Sequence, residues 1–118
     1  MPYVDGFLIP VPKDKVAAYR RMARKASKIW MEFGALEYRE CIGDDLAPTM
    51  GLPFPKVIKA KADETVVFAW IVYKSKAHRD RVNKQIMADP RLCNISPADM
   101  PFDCERMAYG GFKILVQA

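Results

Sequence analysis

One segment, residues 65–73, restricts the fold of this chain more than any other. It reads Thr-Val-Val-Phe-Ala-Trp-Ile-Val-Tyr and contains no charged residue. β-branched and aromatic residues favour a strand, and both alternating sets of side chains are apolar. Both faces of this strand are therefore expected to be buried, which requires a layer of protein on each side of the sheet.

Two amphipathic helices are predicted, one before and one after this strand. Over residues 13–33, apolar side chains recur at helical spacing on one side, while arginines and lysines occupy the other. A shorter helix is predicted over residues 75–88, with Ser75 as its N-cap and Asp89-Pro90 at its end. The two helices hold 11 of the 19 Lys and Arg but only 3 of the 14 Asp and Glu, so the excess positive charge lies on them.

Three more strands complete the order of elements. They are predicted over residues 2–10, 35–44 and 107–117, and the first is expected to stop at its prolines. Residues 91–106 contain two further prolines and are predicted to be irregular, with room for one helical turn. The order β-α-β-β-α-β predicts an α+β fold, a ferredoxin-like subunit.

A single domain of residues 1–118 offers helices for only one face of its sheet. The other face would expose Phe68, Trp70, Phe7 and Tyr3, an apolar patch large enough to mark an interface or a ligand site. A second copy of the sheet, packed face to face, covers such a patch, and closed two-fold dimers are the commonest oligomers. We therefore expect a homodimer, with Asp5 and Glu40 as polar residues between the two sheets.

Composition restricts the function classes. No apolar stretch reaches the roughly 18 to 20 residues that a membrane span needs, and no secretory signal is recognisable. The three cysteines, Cys41, Cys93 and Cys104, have no C-x-x-C spacing, and His78 is the single histidine, so neither a disulfide framework nor a metal site is expected. We expect a cytoplasmic protein with no bound cofactor and no membrane partner.

Six short blocks of sequence together resemble those of a known protein family. They are Tyr3-Val-Asp-Gly-Phe7, Ala35-Leu-Glu-Tyr38, Glu64-Thr-Val-Val-Phe68 leading to Trp70-Ile-Val-Tyr73, His78-Arg-Asp80, Asp99-Met-Pro-Phe-Asp103 and Gly110-Gly-Phe112. In this order they closely resemble the bacterial family called domain of unknown function 1428, over nearly the whole chain. The resemblance implies a dimeric α/β barrel of ferredoxin-like subunits, and it implies no established activity or catalytic residues.

Two side chains are candidate acids or bases. Asp5 is predicted on a strand between Tyr3 and Phe7, and a carboxylate desolvated among aromatic rings has a raised pKa suited to proton transfer. A salt bridge to Lys113 is the alternative, purely structural role for this carboxylate. His78 on the second helix titrates near neutral pH and is the other catalytic candidate, with packing or capping of the helix as its alternative.

Four aromatic side chains are expected to shape a ligand pocket between the sheet and the dimer partner: Tyr3, Tyr38, Trp70 and Tyr109. By analogy of fold with cofactor-independent monooxygenases and isomerases, such a pocket suggests a small-molecule binder or enzyme. The alternative is a non-catalytic homodimeric interaction module whose aromatic face is filled by the partner. RNA binding is disfavoured, because the positive charge lies on the helices and the chain lacks the aromatic strand motif of RNA-recognition domains.

Overall fold

The computed structural model describes residues 1–93 and 95–118, with the side chains of Cys93 and Pro97 outside the description. Four strands form one antiparallel sheet in the order β2-β3-β1-β4: β1 (Tyr3–Pro12), β2 (Glu37–Ile42), β3 (Glu64–Tyr73) and β4 (Ala108–Lys113). Within the described residues, four α-helices accompany them: α1 (Val16–Glu32), α2 (Phe54–Val57), α3 (Lys76–Ala88) and α4 (Pro90–Cys93). The predicted ferredoxin-like α+β fold is confirmed. The expectation that Cys93 belongs to no disulfide framework or metal site concerns a side chain outside the described residues.

β2 is Glu37–Ile42, two residues shorter at each end than predicted. β1 and β4 also end at other residues than predicted, and the pairing of the strands explains both. β1 continues through Pro10 to Pro12, but its ladder with β4 ends at Leu8. The prolines therefore lie where β1 is an edge on that side, and a missing N–H is tolerated there. β4 ends at Lys113 rather than at residue 117, because Lys113 lies opposite Tyr3, where β1 begins.

The helices begin close to the predicted positions. A short 3-10 turn, Lys13–Lys15, precedes α1. Ser75 is the N-cap of α3 as predicted, since its hydroxyl accepts the backbone N–H of His78 at 3.1 Å. Residues 91–106 include the last turn of α4 and two 3-10 turns, Pro97–Asp99 and Cys104–Arg106, which agrees with a mainly irregular segment.

Helices α1 and α3 pack against one face of the sheet, which we call the helix face. Ile9, Val11, Val67 and Ala69 of this face form one buried cluster with α1, and Ile71 and Tyr73 form a second with both helices. Removing each of the buried Val and Ile side chains from water stabilises the fold by roughly 1.5–3 kcal/mol.

The other face of the sheet, which we call the open face, carries apolar side chains that no helix of this chain covers fully. They are Val4, Leu8, Phe68, Trp70, Val72 and Phe112. Val66 on the same face is buried. The side chains of Phe68 and Phe112 are 46% and 61% exposed, although Phe54 of α2 packs its ring 6.1 Å from that of Phe68. The sequence-based prediction that β3 is apolar on both faces therefore holds, and the chain itself covers only one of them.

The expectation that Asp5, with Tyr3 and Phe7, lies on the uncovered face and so between two sheets is wrong. Residues that face each other across antiparallel strands point to the same side, and Asp5 lies opposite Ile71, a residue of the helix face. Glu40 lies opposite Ala69 and is on the helix face too. Trp70 belongs to the alternate series, opposite Gly6, because a shift of one residue along a strand exchanges the faces.

Candidate functional site

Asp5 forms a buried ion pair beneath α3. Its side chain is only 1% exposed, and its Oδ1 accepts a hydrogen bond of 2.8 Å from Nη1 of Arg79. Asn83 donates to Oδ2 over a longer distance, 3.4 Å. Burial raises the pKa of Asp5 above its usual value, although the positive charge of Arg79 opposes this. The expected salt bridge exists, but its partner is Arg79 rather than Lys113, which is exposed at the end of β4.

Two of the predicted pocket residues lie around Arg79. Its guanidinium carbon is 4.9 Å from the ring centre of Tyr3, and its Nη1 also donates to the hydroxyl of Tyr109 at 3.3 Å. Tyr3 lies against the backbone of Gly111, where an added Cβ would come within 2.7 Å of Tyr3 Cε2. Tyr3 and Tyr109 therefore lie close to Asp5, as expected, but in a closed ion-pair cluster.

His78 makes its contacts at the first turn of α3. Its Nδ1 accepts the backbone N–H of Lys74 at 3.0 Å, and its ring meets that of Tyr73 edge-on with centres 5.9 Å apart. Burial lowers the pKa of His78, helped by the charges of Arg81 and Lys74, so the neutral imidazole is favoured. These contacts fit the packing and capping role, and a catalytic role for His78 stays a prediction.

A second carboxylate, that of Glu40, lies on the helix face and accepts hydrogen bonds from two phenols. Tyr19 of α1 donates to Oε1 at 2.6 Å, and Tyr38 of β2 donates to Oε2 at 2.7 Å. Burial, reinforced by the negative charge of Glu40, raises the pKa of both tyrosines well above their usual value. Both phenols therefore stay protonated donors at neutral pH.

Two cavities meet at this carboxylate–phenol cluster. The larger, of about 1040 Å³, lies between the helix face, α1 and the segment leading to β4, and its apolar wall includes Phe7, Met22 and Ala26. The smaller, of about 460 Å³, lies between α1 and β2. Tyr19, Tyr38 and Glu40 line both cavities. Volumes of this order are typical of small-molecule sites, although the larger cavity also has charged residues in its wall, among them Lys15, Lys61 and Arg106.

The structure does not bring the predicted site residues together. Tyr38 lines both cavities, whereas Asp5, His78, Tyr3 and Tyr109 line neither. Trp70 lies on the open face, where its Nε1 donates to Glu37 at 3.2 Å. Among the described residues, no three His, Cys, Asp or Glu side chains are grouped closely enough to hold a metal ion. The described helices include none that is long and apolar enough to cross a membrane.

Comparison with known proteins identifies the family to which the chain belongs. Residues 2–104 match the family described as "Protein of unknown function (DUF1428)". The chain belongs to this family. It is 47% identical over 116 residues to "Uncharacterized protein YbaA" of Escherichia coli K12 and of Shigella flexneri, covering 98% of each chain. Among solved structures, an uncharacterized NIPSNAP domain protein from Burkholderia xenovorans aligns with a TM-score of 0.56 over 98% of this chain and 94% of that one, at 16% identity, which supports the fold alone.

In this DUF1428 chain, sequence reasoning placed Glu40 on the wrong face of the sheet and missed Tyr19 as its partner. One signal was available, because Glu40 and Tyr38 are in phase with the apolar Ile42 along the strand. A charged residue in an inward-facing series needs partners, and Tyr19 is the polar member of the apolar side of α1. Arg79, the partner of Asp5, directly follows His78 in one of the blocks that carry the resemblance.

Proposed function

We propose that this protein binds a small, mainly apolar molecule that bears a hydroxyl group, in the interior between its helices and its sheet. The observation that supports the proposal is the cavity of about 1040 Å³ with Glu40, Tyr19 and Tyr38 in its wall. The apolar part of the wall would contact the body of the ligand, and the polar cluster would orient it. Catalysis by Asp5 remains a prediction with less support, because Arg79 and Asn83 already occupy its carboxylate oxygens.

The chemistry of Glu40 determines which polar group a ligand should present. An ionised carboxylate has about four acceptor positions, and the two tyrosine hydroxyls use two of them. The remaining positions accept hydrogen bonds and donate none, so a hydroxyl or an N–H of the ligand would be bound there. A ligand carboxylate placed next to the carboxylate of Glu40 would be repelled.

The test uses para-propylphenol, a neutral phenol with an apolar tail, titrated into the protein by calorimetry. Met22→Trp narrows the larger cavity and is expected to weaken binding by about threefold or more, while Ala17→Trp, on the exposed side of the same helix, should leave it unchanged. Ala26→Phe narrows the cavity from another position and replaces Met22→Trp should that variant not fold. Absence of binding, or equal binding by the cavity variants and Ala17→Trp, would contradict the proposal.

We also propose that the open face is covered by the open face of a second copy, as in the alternative of a homodimeric interaction module. The support is the exposure of Phe68 and Phe112 on a mainly apolar sheet face, with the charged Glu37 and Arg39 confined to its edge strand β2. Stacked sheets pack about 10 Å apart, which aromatic side chains of this size fill. Such a dimer leaves the helix face free, so the two proposals are compatible.

Light scattering is expected to give about twice the mass of the 13.4 kDa chain. Phe112→Asp should produce a folded monomer, because this side chain is already 61% exposed in the single chain. Trp70→Asp should reduce both dimerisation and stability, since Trp70 is partly buried within the chain itself. Ala17→Asp introduces the same charge on the exposed side of α1 and should remain dimeric. A monomeric wild-type protein would exclude this proposal and leave the ligand proposal intact.

A further inference from the structure

We propose that the ligand also carries a carboxylate, which Arg20 and Arg24 bind at the smaller cavity. This inference rests on the proposed function and narrows its ligand to the class of hydroxylated apolar carboxylic acids. The two arginines are one helical turn apart on α1 and both line the cavity of about 460 Å³ between α1 and β2. Its remaining wall is largely apolar and includes Val11 and Val67.

The charges around the two arginines leave them available to an anion. No acidic residue occurs from Val16 to Met31, so α1 provides no partner for Arg20 or Arg24 until Glu32 at its end. Within the described residues, neither arginine takes part in an ion pair, in contrast to Arg79 and Arg106. Like charges one turn apart destabilise a helix, and an anion bound between them removes this repulsion.

Guanidinium groups suit a carboxylate in particular. Each presents several N–H donors in a planar fork that matches the two oxygens of a carboxylate. A site with an apolar wall and two arginines at its rim is therefore expected to prefer an amphipathic acid over a neutral molecule of the same shape. The other cations on the exposed side of α1 line neither cavity: Arg21, Lys25 and Lys28.

The cluster shared by the two cavities gives the ligand a direction. Glu40 lies in the wall of both cavities and would repel a carboxylate placed next to it, but it accepts a hydroxyl. Arg20 and Arg24 line only the smaller cavity and attract the carboxylate. A molecule with its hydroxyl at Glu40 and its acid group at the arginines satisfies both sets of groups, whereas the reversed orientation satisfies neither.

The experiment compares phloretate with para-propylphenol, which has a methyl group where phloretate has its carboxylate. Both are titrated calorimetrically into the wild-type protein and into two double variants. Arg20→Gln/Arg24→Gln removes the proposed carboxylate site, and Arg21→Gln/Lys25→Gln removes the same charge from the same helix away from the cavities. We expect the first variant to bind phloretate about tenfold more weakly and the second to stay within about twofold of wild type. Binding of para-propylphenol should be unchanged in both variants.

The outcomes separate this inference from the proposed function. The inference would be overturned if the wild-type protein bound para-propylphenol at least as tightly as phloretate. It would also be overturned if the two double variants lost phloretate binding equally. Either result would leave the proposed function standing. Phloretate binding that depends on Arg20 and Arg24, with no binding of para-propylphenol, would support the carboxylate site and contradict a neutral apolar ligand. Failure of both compounds to bind would overturn both.

Discussion

Arg79 is the side chain on which the buried carboxylate of Asp5 depends, and Arg79→Met tests that dependence. At 2.8 Å and an effective dielectric constant of about 20, the attraction between the two charges is about 6 kcal/mol, part of which offsets the cost of burying them. Arg79→Met leaves Asp5, at 1% exposure, with only the longer bond from Asn83. We therefore expect the variant to lose about 3–5 kcal/mol of unfolding free energy at neutral pH.

The loss should depend on pH with a definite sign. Without Arg79, burial raises the pKa of Asp5 further above its ordinary 3.8, so the native state binds a proton more readily than the unfolded chain. Stability of the variant should therefore rise as pH falls toward this raised pKa, and the full loss should appear above it. Urea unfolding at fixed protein concentration, followed by circular dichroism at several pH values, measures both effects.

Two further variants serve as controls for this pair. Asp5→Asn/Arg79→Met removes both charges and should be more stable than Arg79→Met alone, because no unpaired charge stays buried. Arg81→Met makes the same substitution at an exposed position of α3 and should change stability by less than about 0.5 kcal/mol. A loss below about 1 kcal/mol in Arg79→Met, or a double variant as unstable as the single one, would refute the reasoning.

Two other predictions concern the ends of the sheet. The hydrogen bonds from Arg106 lower the pKa of Glu64 from 4.5 to about 2, so the stability this carboxylate contributes is present above pH 4.5 and is lost as pH falls toward 2. Glu64→Gln should show a shallower fall in the urea midpoint over that range, and an unchanged slope would count against the ion pair. Gly111→Ala should cost about 1–3 kcal/mol, because its Cβ would come within 2.7 Å of Tyr3 Cε2, whereas Gly110→Ala has 3.7 Å to its nearest neighbour and should cost less. Equal thermal midpoints of the two alanine variants would show that Tyr3 moves aside without cost.

The order of the elements could be predicted from the sequence because the signals are local. The spacing of apolar residues in α1, the Ser75 cap of α3 and the uninterrupted apolar run of β3 each involve neighbours within one or two turns or along one strand. The strand ends were less predictable, since β1 runs past Pro10 only because β4 is not paired with it there. That fact depends on a strand about a hundred residues away along the chain.

The sequence alone determined the fold class and the apolar character of both faces of β3, because both follow from the period and apolarity of single segments. The tertiary structure decided which carboxylate meets which partner. Asp5 meets Arg79 across 74 residues, and Glu40 meets Tyr19 across 21, through the packing of α3 and α1 on the helix face. Strand register determines which carboxylate lies on the helix face, because a shift of one residue moves every side chain to the opposite face. A strand that is apolar on both faces does not show from its own sequence which of its two sets of side chains faces the helices.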